Sequence, residues 1–150
     1  MRIRDARSSD AQPICGLLEE LGYPSEPENV VARLRAIASD AASQVFVAED
    51  DSIVGLAMIH VFQPVEHDVP WCQLEALVVT RSHRGRGIGR ALVEAAEAEA
   101  RRRGCGGIVL GTGGHRRDAQ GFYARLGYEG VGLRFKKNLI GTSRPPHVED

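Results

Sequence analysis

Leu74-Glu75-Ala76-Leu77-Val78-Val79 and, after four intervening residues, Arg84-Gly85-Arg86-Gly87-Ile88-Gly89-Arg90 carry an apolar run into a glycine-rich segment. A long amphipathic stretch follows, so the glycines mark the point where a strand gives way to a helix. A helix start bears partial positive charge and amides without intrahelical acceptors, so Arg84, Arg86 and Arg90 stand where cations are disfavoured. Their presence makes sense if an anion binds among them. Glycines at 85, 87 and 89 leave the backbone bare enough for that anion to approach. A phosphate-bearing cofactor is the expectation.

Upstream, residues 1–7 alternate and predict a short strand. Ser9 or Asp10 can cap a helix reaching Leu21, with Ile14, Leu17, Leu18 and Leu21 on one face and Gly22 as its stop. Residues 22–27 read as a loop, in which Ser25 can cap a second helix whose stripe is Val30, Val31, Leu34 and Ile37. Residues 44–49 and 53–62 predict a hairpin turning at Asp50-Asp51. A proline-bounded polar loop, 63–70, leads into a buried strand at 71–79.

After the glycines, the helix presents Ile88, Ala91, Leu92, Ala95 and Ala98 on one side. Arg101, Arg102 and Arg103 sit near its end, where cations suit the dipole, and Gly104 is placed to cap it. Residues 107–112 predict a strand, 117–126 a short helix stopped by Gly127, and 133–139 a closing strand. The tail 141–150, with Pro145-Pro146, is expected to be mobile, leaving 1–140 as a single α+β domain.

The chain has 150 residues, 43% apolar and 26% charged, which suits one globular unit with its own core. Its net charge of −1 implies no large nucleic-acid-binding surface. No apolar run approaches membrane-spanning length, and the first residues lack a signal-peptide core. Cys15, Cys72 and Cys105 are odd in number and widely spaced, so a reduced, cytoplasmic setting is the default. His60, His67, His83, His115 and His147 are scattered without metal-ligand spacing, and no metal site is expected.

Spacing separates the kinds of glycine loop. A P-loop requires a lysine after its last glycine, and none follows here. A dinucleotide fingerprint counted from Gly85 puts its final glycine on Arg90 and lacks the downstream acid. What stands here, R-G-R-G-I-G, fits [QR]-x-x-G-x-[GA]. That pattern resembles the acyl-CoA loop of the GNAT superfamily of N-acetyltransferases. A second segment, residues 116–128 (R-R-D-A-Q-G-F-Y-A-R-L-G-Y), is similar to the same family's N-x-x-A-x-x-F-Y-x-x-x-G-[FY] pattern.

The resemblance implies a mixed, mostly antiparallel central sheet flanked by helices, with a splayed pair of central strands. It implies that acetyl-CoA is the co-substrate, its pantetheine arm meeting the backbone of Leu77, Val78 and Val79. Arg84, Gly85, Arg86, Gly87, Ile88, Gly89 and Arg90 would hold the phosphates. Arg116 stands where the family usually has asparagine, and could reach a phosphate or a substrate instead.

Tyr123 matches the family tyrosine whose hydroxyl lies by the thioester sulfur, and a phenol of pKa about 10 can donate a proton at neutral pH. The alternative is that it packs against the sheet beside Phe122. Glu75 is a lone carboxylate in Q-L-E-A-L-V-V, costly to bury unless paired or used. In relatives a glutamate on this strand takes the amine proton, often through water; otherwise Glu75 faces a solvated cleft or binds an arginine. His67, between Glu66 and Asp68, could meet a substrate amine, although such a loop is more often solvated surface.

The reaction implied is direct acetyl transfer from acetyl-CoA to a primary amine, most simply that of a small molecule. A protein amine is the rival acceptor and would require an open groove between loops near Tyr23, Pro64 and Gly141. A non-catalytic acyl-CoA sensor is the reading outside enzymology. Homodimers are common among look-alikes, and nothing in this chain forces one.

Overall fold

Strand β4, Trp71–Val79, lies where its apolar run places it, and the other strands are arrayed on either side. The structure, a computed structural model, describes residues 1–111, 117–132 and 135–140. Its strands are β1 (Arg2–Asp5), β2 (Ser43–Asp50), β3 (Ser52–Phe62), β4 and β5 (Ile108–Val109). Helices α1 (Ala11–Leu21) and α2 (Pro27–Ala38) separate β1 from β2. Helix α3 (Ile88–Arg102) joins β4 to β5, and α4 (Arg117–Arg125) follows.

The sheet order is β1-β2-β3-β4-β5, antiparallel except for the parallel pair β4–β5, as a crossover through α3 requires. Among the described residues, no helix is long and apolar enough to cross a membrane.

Two apolar layers cover the sheet. One face packs Phe46, Ala57, Ile59, Leu74 and Leu77 against Ile88, Leu92, Val93 and Ala96 of α3 and Ala119 and Tyr123 of α4. On the other face Val45, Val47, Leu56 and Val78 meet Ile14, Leu17 and Leu21 of α1 and Val30 and Leu34 of α2. Each fully buried leucine or isoleucine contributes on the order of 1.5–3 kcal/mol. The buried stripe of α3 is Ile88, Leu92, Val93, Ala96 and Ala100; of the expected stripe Ile88 and Leu92 are buried, Ala91 and Ala95 half-buried and Ala98 exposed. Steps of four from Ile88 set the buried stripe. A Cβ at Gly55 of β3 would stand 3.0 Å from Leu92 Cδ1 and 3.3 Å from Ile88 Cγ2, so glycine lets α3 press onto the sheet.

Three expectations change. Ser25 does not cap α2; Glu26 is the flanking residue, and the Ser25 hydroxyl donates to the Tyr23 carbonyl at 2.9 Å. Pro27 opens the helix instead, its fixed φ suiting the first turn. Of the expected strand 107–112, whose last residue lies outside the described residues, only Ile108–Val109 is strand among 107–111. No strand forms over 135–139, where Phe135 and Leu139 are 88% and 87% exposed. A two-residue β5 offers almost no edge for a further strand, and Lys136-Lys137 remains solvated. Residues 133–134 and the tail 141–150 lie outside the described residues.

Candidate active site

Strand β4 is paired unequally on its two edges. Towards β3 the ladder runs from Phe62↔Trp71 to Gly55↔Val79. Towards β5 it comprises only Cys72↔Ile108 and Gln73↔Val109. The far end of the pair is closed by Trp71, whose indole lies against the backbone at Gly106 and Gly107. A Cβ at Gly107 would collide with that ring. Cys72 N–H donates to the Gly107 carbonyl at 3.0 Å and Gly106 N–H to that of Pro70 at 2.8 Å. Beyond Gln73 no further β4–β5 pair forms among the described residues, and the edge of β4 along Leu74–Val79 has no ladder partner on that side. That edge retains backbone groups able to pair with an extended ligand.

Glu75 stands just beyond the last β4–β5 pair. The β3 ladder passes from Ile59↔Leu74 to Met58↔Ala76 and skips it, so Glu75 is the extra residue of a β-bulge. Cys72 and Leu74 point to the α3 layer, yet Ala76 and Val78 belong to the α1–α2 layer. Simple alternation would keep all four on one face, so the bulge reverses the parity. Glu75, half-buried, is the residue at which the parity changes.

At its other end β4 runs through a 3₁₀ turn, Arg81–His83, into the glycines. Gly85 and Gly87 have φ of 76° and 82°, left-handed values that glycine adopts without strain. A Cβ at either would meet nothing within 4 Å, so the loop is open on that side. Helix α3 starts after Gly87 with no side-chain cap bond and no acidic residue in its first turn. The amides there suit a phosphate, and the residues present fit a diphosphate ligand.

The three arginines differ. Arg84 Nε donates to the Val79 carbonyl at 3.0 Å, and its Nη2 lies 3.9 Å from Glu20 Oε1. Arg90 Nε donates to Glu94 Oε1 one turn along the helix at 2.9 Å. Arg86 is exposed and makes no ion pair among the described residues.

Glu20, in the last turn of α1, also accepts from Thr80 Oγ1 at 2.7 Å and from Arg81 N–H at 2.8 Å. Partial burial opposes its charge, but the bonds from Thr80 and Arg81, with Arg84 nearby, outweigh that and hold its carboxyl below the usual range.

Tyr123 is 4% exposed in the α3 layer, among the side chains that back β4. Its ring meets Phe122 edge-on at 5.0 Å and Tyr128 at 5.8 Å, both at 75°. Tyr128 donates its hydroxyl to Glu97 Oε2 at 2.7 Å. Phe122 reaches the start of α3: a Cβ on Gly89 would be 3.3 Å from its Cζ. Glycine at 89 therefore lets α4 dock against the mouth of α3.

The model of the acetyltransferase (GNAT) family matches residues 11–128. This chain belongs to the GNAT acetyltransferase family. It is 34% identical over 128 residues to an aminoalkylphosphonate N-acetyltransferase of Salmonella typhimurium, covering 84% of this chain and 80% of that protein. Its identity to the mouse N-alpha-acetyltransferase 80 is 41% over 83 residues, covering 49% of this chain and 25% of that one. Among solved structures, a Bacillus halodurans C-125 protein described as a transcriptional regulator superposes with a TM-score of 0.84 at 25% identity, over 92% of this chain and 99% of that one.

As a GNAT acyltransferase, the chain places Leu77, Val78 and Val79 on the part of β4 that β5 does not pair with, and Gly85, Gly87, Ile88 and Gly89 at the mouth of α3. The Val79 carbonyl, expected to face a pantetheine arm, already accepts from Arg84. Arg116 lies outside the described residues. His67 stacks on Trp71, ring centroids 5.1 Å apart, at the closed end of the strand pair. Glu20 and Phe122 were not singled out by their sequence positions. A signal for Glu20 exists nonetheless: a carboxylate at a helix C-terminus opposes the dipole, as the arginines at the α3 start do.

Proposed function

We propose that this N-acetyltransferase holds acetyl-CoA between β4 and β5 and passes its acetyl group directly to the primary amine of a small molecule. The observation carrying this reading is the end of the β4–β5 pairing next to the bulge at Glu75, on the strand that leads to an uncapped helix start. Thioester chemistry needs a held carbonyl, a proton acceptor and a proton donor. Amides on the open edge of β4 would polarise the carbonyl. An alkyl ammonium of pKa about 10 must lose a proton to be nucleophilic. Glu75, directly or through water, would take the amine proton as the C–N bond forms. Tyr123 would deliver a proton to the sulfur as the C–S bond breaks, and solvent would restore both groups.

A small-molecule acceptor is supported by the extent of the match to the Salmonella enzyme, which spans most of both chains. The mouse match spans a quarter of its protein. Thiol release measured across a panel of small primary amines and peptides tests the reading. Turnover with a small amine and none with peptides is expected; the reverse pattern overturns the acceptor class. In the same assay Tyr123→Phe should lower kcat about a hundredfold with little change in the KM for acetyl-CoA.

A further inference from the structure

The glycine loop is open on one side, since a Cβ at Gly85 or Gly87 would have no atom within 4 Å. Its two ends are anchored to other parts of the fold. At the helix end, Gly89 is pressed against Phe122. At the strand end, the Thr80 amide donates to the Val54 carbonyl of β3 at 2.8 Å, and the side-chain contacts that reach another element converge on Glu20. Its two oxygens receive the Thr80 hydroxyl and the Arg81 amide, and the Arg84 guanidinium lies beside it, bonded to Val79. Glu19 and Glu20 crowd a helix end where carboxylates are disfavoured, and the last turn of α1 holds no basic residue. The donors from the β4 exit offset that cost for Glu20.

We propose that Glu20 is a positioning residue, a strut from α1 that fixes the exit of β4 so that the amides of the glycine loop stand ready for a diphosphate. Arg84 belongs to the strut, and Arg86 is the cation left to meet the ligand. This rests on the acyl-CoA reading above. Glu20 lies against Thr80 and Arg81, next to the glycine loop, so its influence falls on the phosphate-bearing half of the ligand.

The test compares two thioesters, acetyl-CoA and acetyl-pantetheine, which lacks the diphosphate. In Glu20→Ala, CoA affinity by calorimetry should fall about tenfold, and kcat/KM for acetyl-CoA should fall with it through KM, kcat changing less than about twofold. With acetyl-pantetheine, kcat/KM should be unchanged. Glu20→Gln keeps an acceptor for the Arg81 amide and a polar partner for Thr80, and should return CoA affinity to within about threefold of the parent. Thr80→Val, which removes one bond without touching α1, should shift CoA affinity the same way by about threefold, and serves if Glu20→Ala does not fold. Equal losses on both thioesters, unchanged CoA affinity, or no recovery in Glu20→Gln would each overturn the strut. A parent protein that fails to bind CoA at all would instead sink the acyl-CoA reading.

Discussion

Helix α3 carries arginines at both ends, and the two groups have opposite surroundings. At the C-terminus, Arg102 donates to Glu99 at 3.0 Å and Arg103 to the same carboxylate at 2.9 Å. Arg103 continues to the Ala41 carbonyl at 2.7 Å and Gln44 Oε1 at 2.9 Å, tying α3 to the start of β2. The helix field favours cations there, and local acceptors satisfy them. At the N-terminus the field is unfavourable, one arginine is braced by a carboxylate borrowed from α1, and Arg86 has no ion-pair partner among the described residues. Charge in a favourable field with partners is architecture; charge held against the field is a place for a ligand.

Exchanging the sign at the N-terminus should give the largest effect. Arg86→Glu is expected to weaken CoA binding more than about tenfold and flatten its salt dependence, while thermal stability holds or rises slightly because an acid suits a helix start. Calorimetry at two ionic strengths and a melting curve check this. Arg103→Ala should do the reverse: a loss of about 1–2 kcal/mol in denaturant unfolding, with CoA affinity unchanged. If both variants changed affinity alike, the two ends would not differ in kind.

The smallest effect concerns acid. Hydrogen bonds from Arg102 and Arg103 hold the Glu99 carboxyl at about 2, against an ordinary 4.5. A depressed pKa stabilises the fold above the unfolded value, and that contribution disappears as pH falls through the folded value. Between about pH 4.5 and 2 the parent melting temperature should therefore drop more steeply than that of Glu99→Gln. Parallel curves would mean the pair contributes nothing.

Local signals made much of this legible. The limits of β4, the turn into α3 and the aromatic pair on α4 follow from apolar runs and glycines acting on their immediate neighbours. Features depending on distant residues were not readable. Contraction of β5 goes with the Trp71 ring pressing on Gly106 and Gly107, more than thirty positions away. The bulge at Glu75 is visible only as a skipped rung against β3. Glu20 follows another acid, Glu19, in the sequence, and only the fold sets it against Thr80 and Arg81. The roles of Glu75 and Tyr123 are chemical proposals that neither pattern nor register decides.

Trp71 is the chain's one tryptophan, and it sits between the His67 ring and the glycine backbone at the closed end of the strand pair. The protein thus carries its own optical gauge. Wedging the strands apart would alter the indole's surroundings, so emission could follow ligand entry in unlabelled protein with nothing added but light.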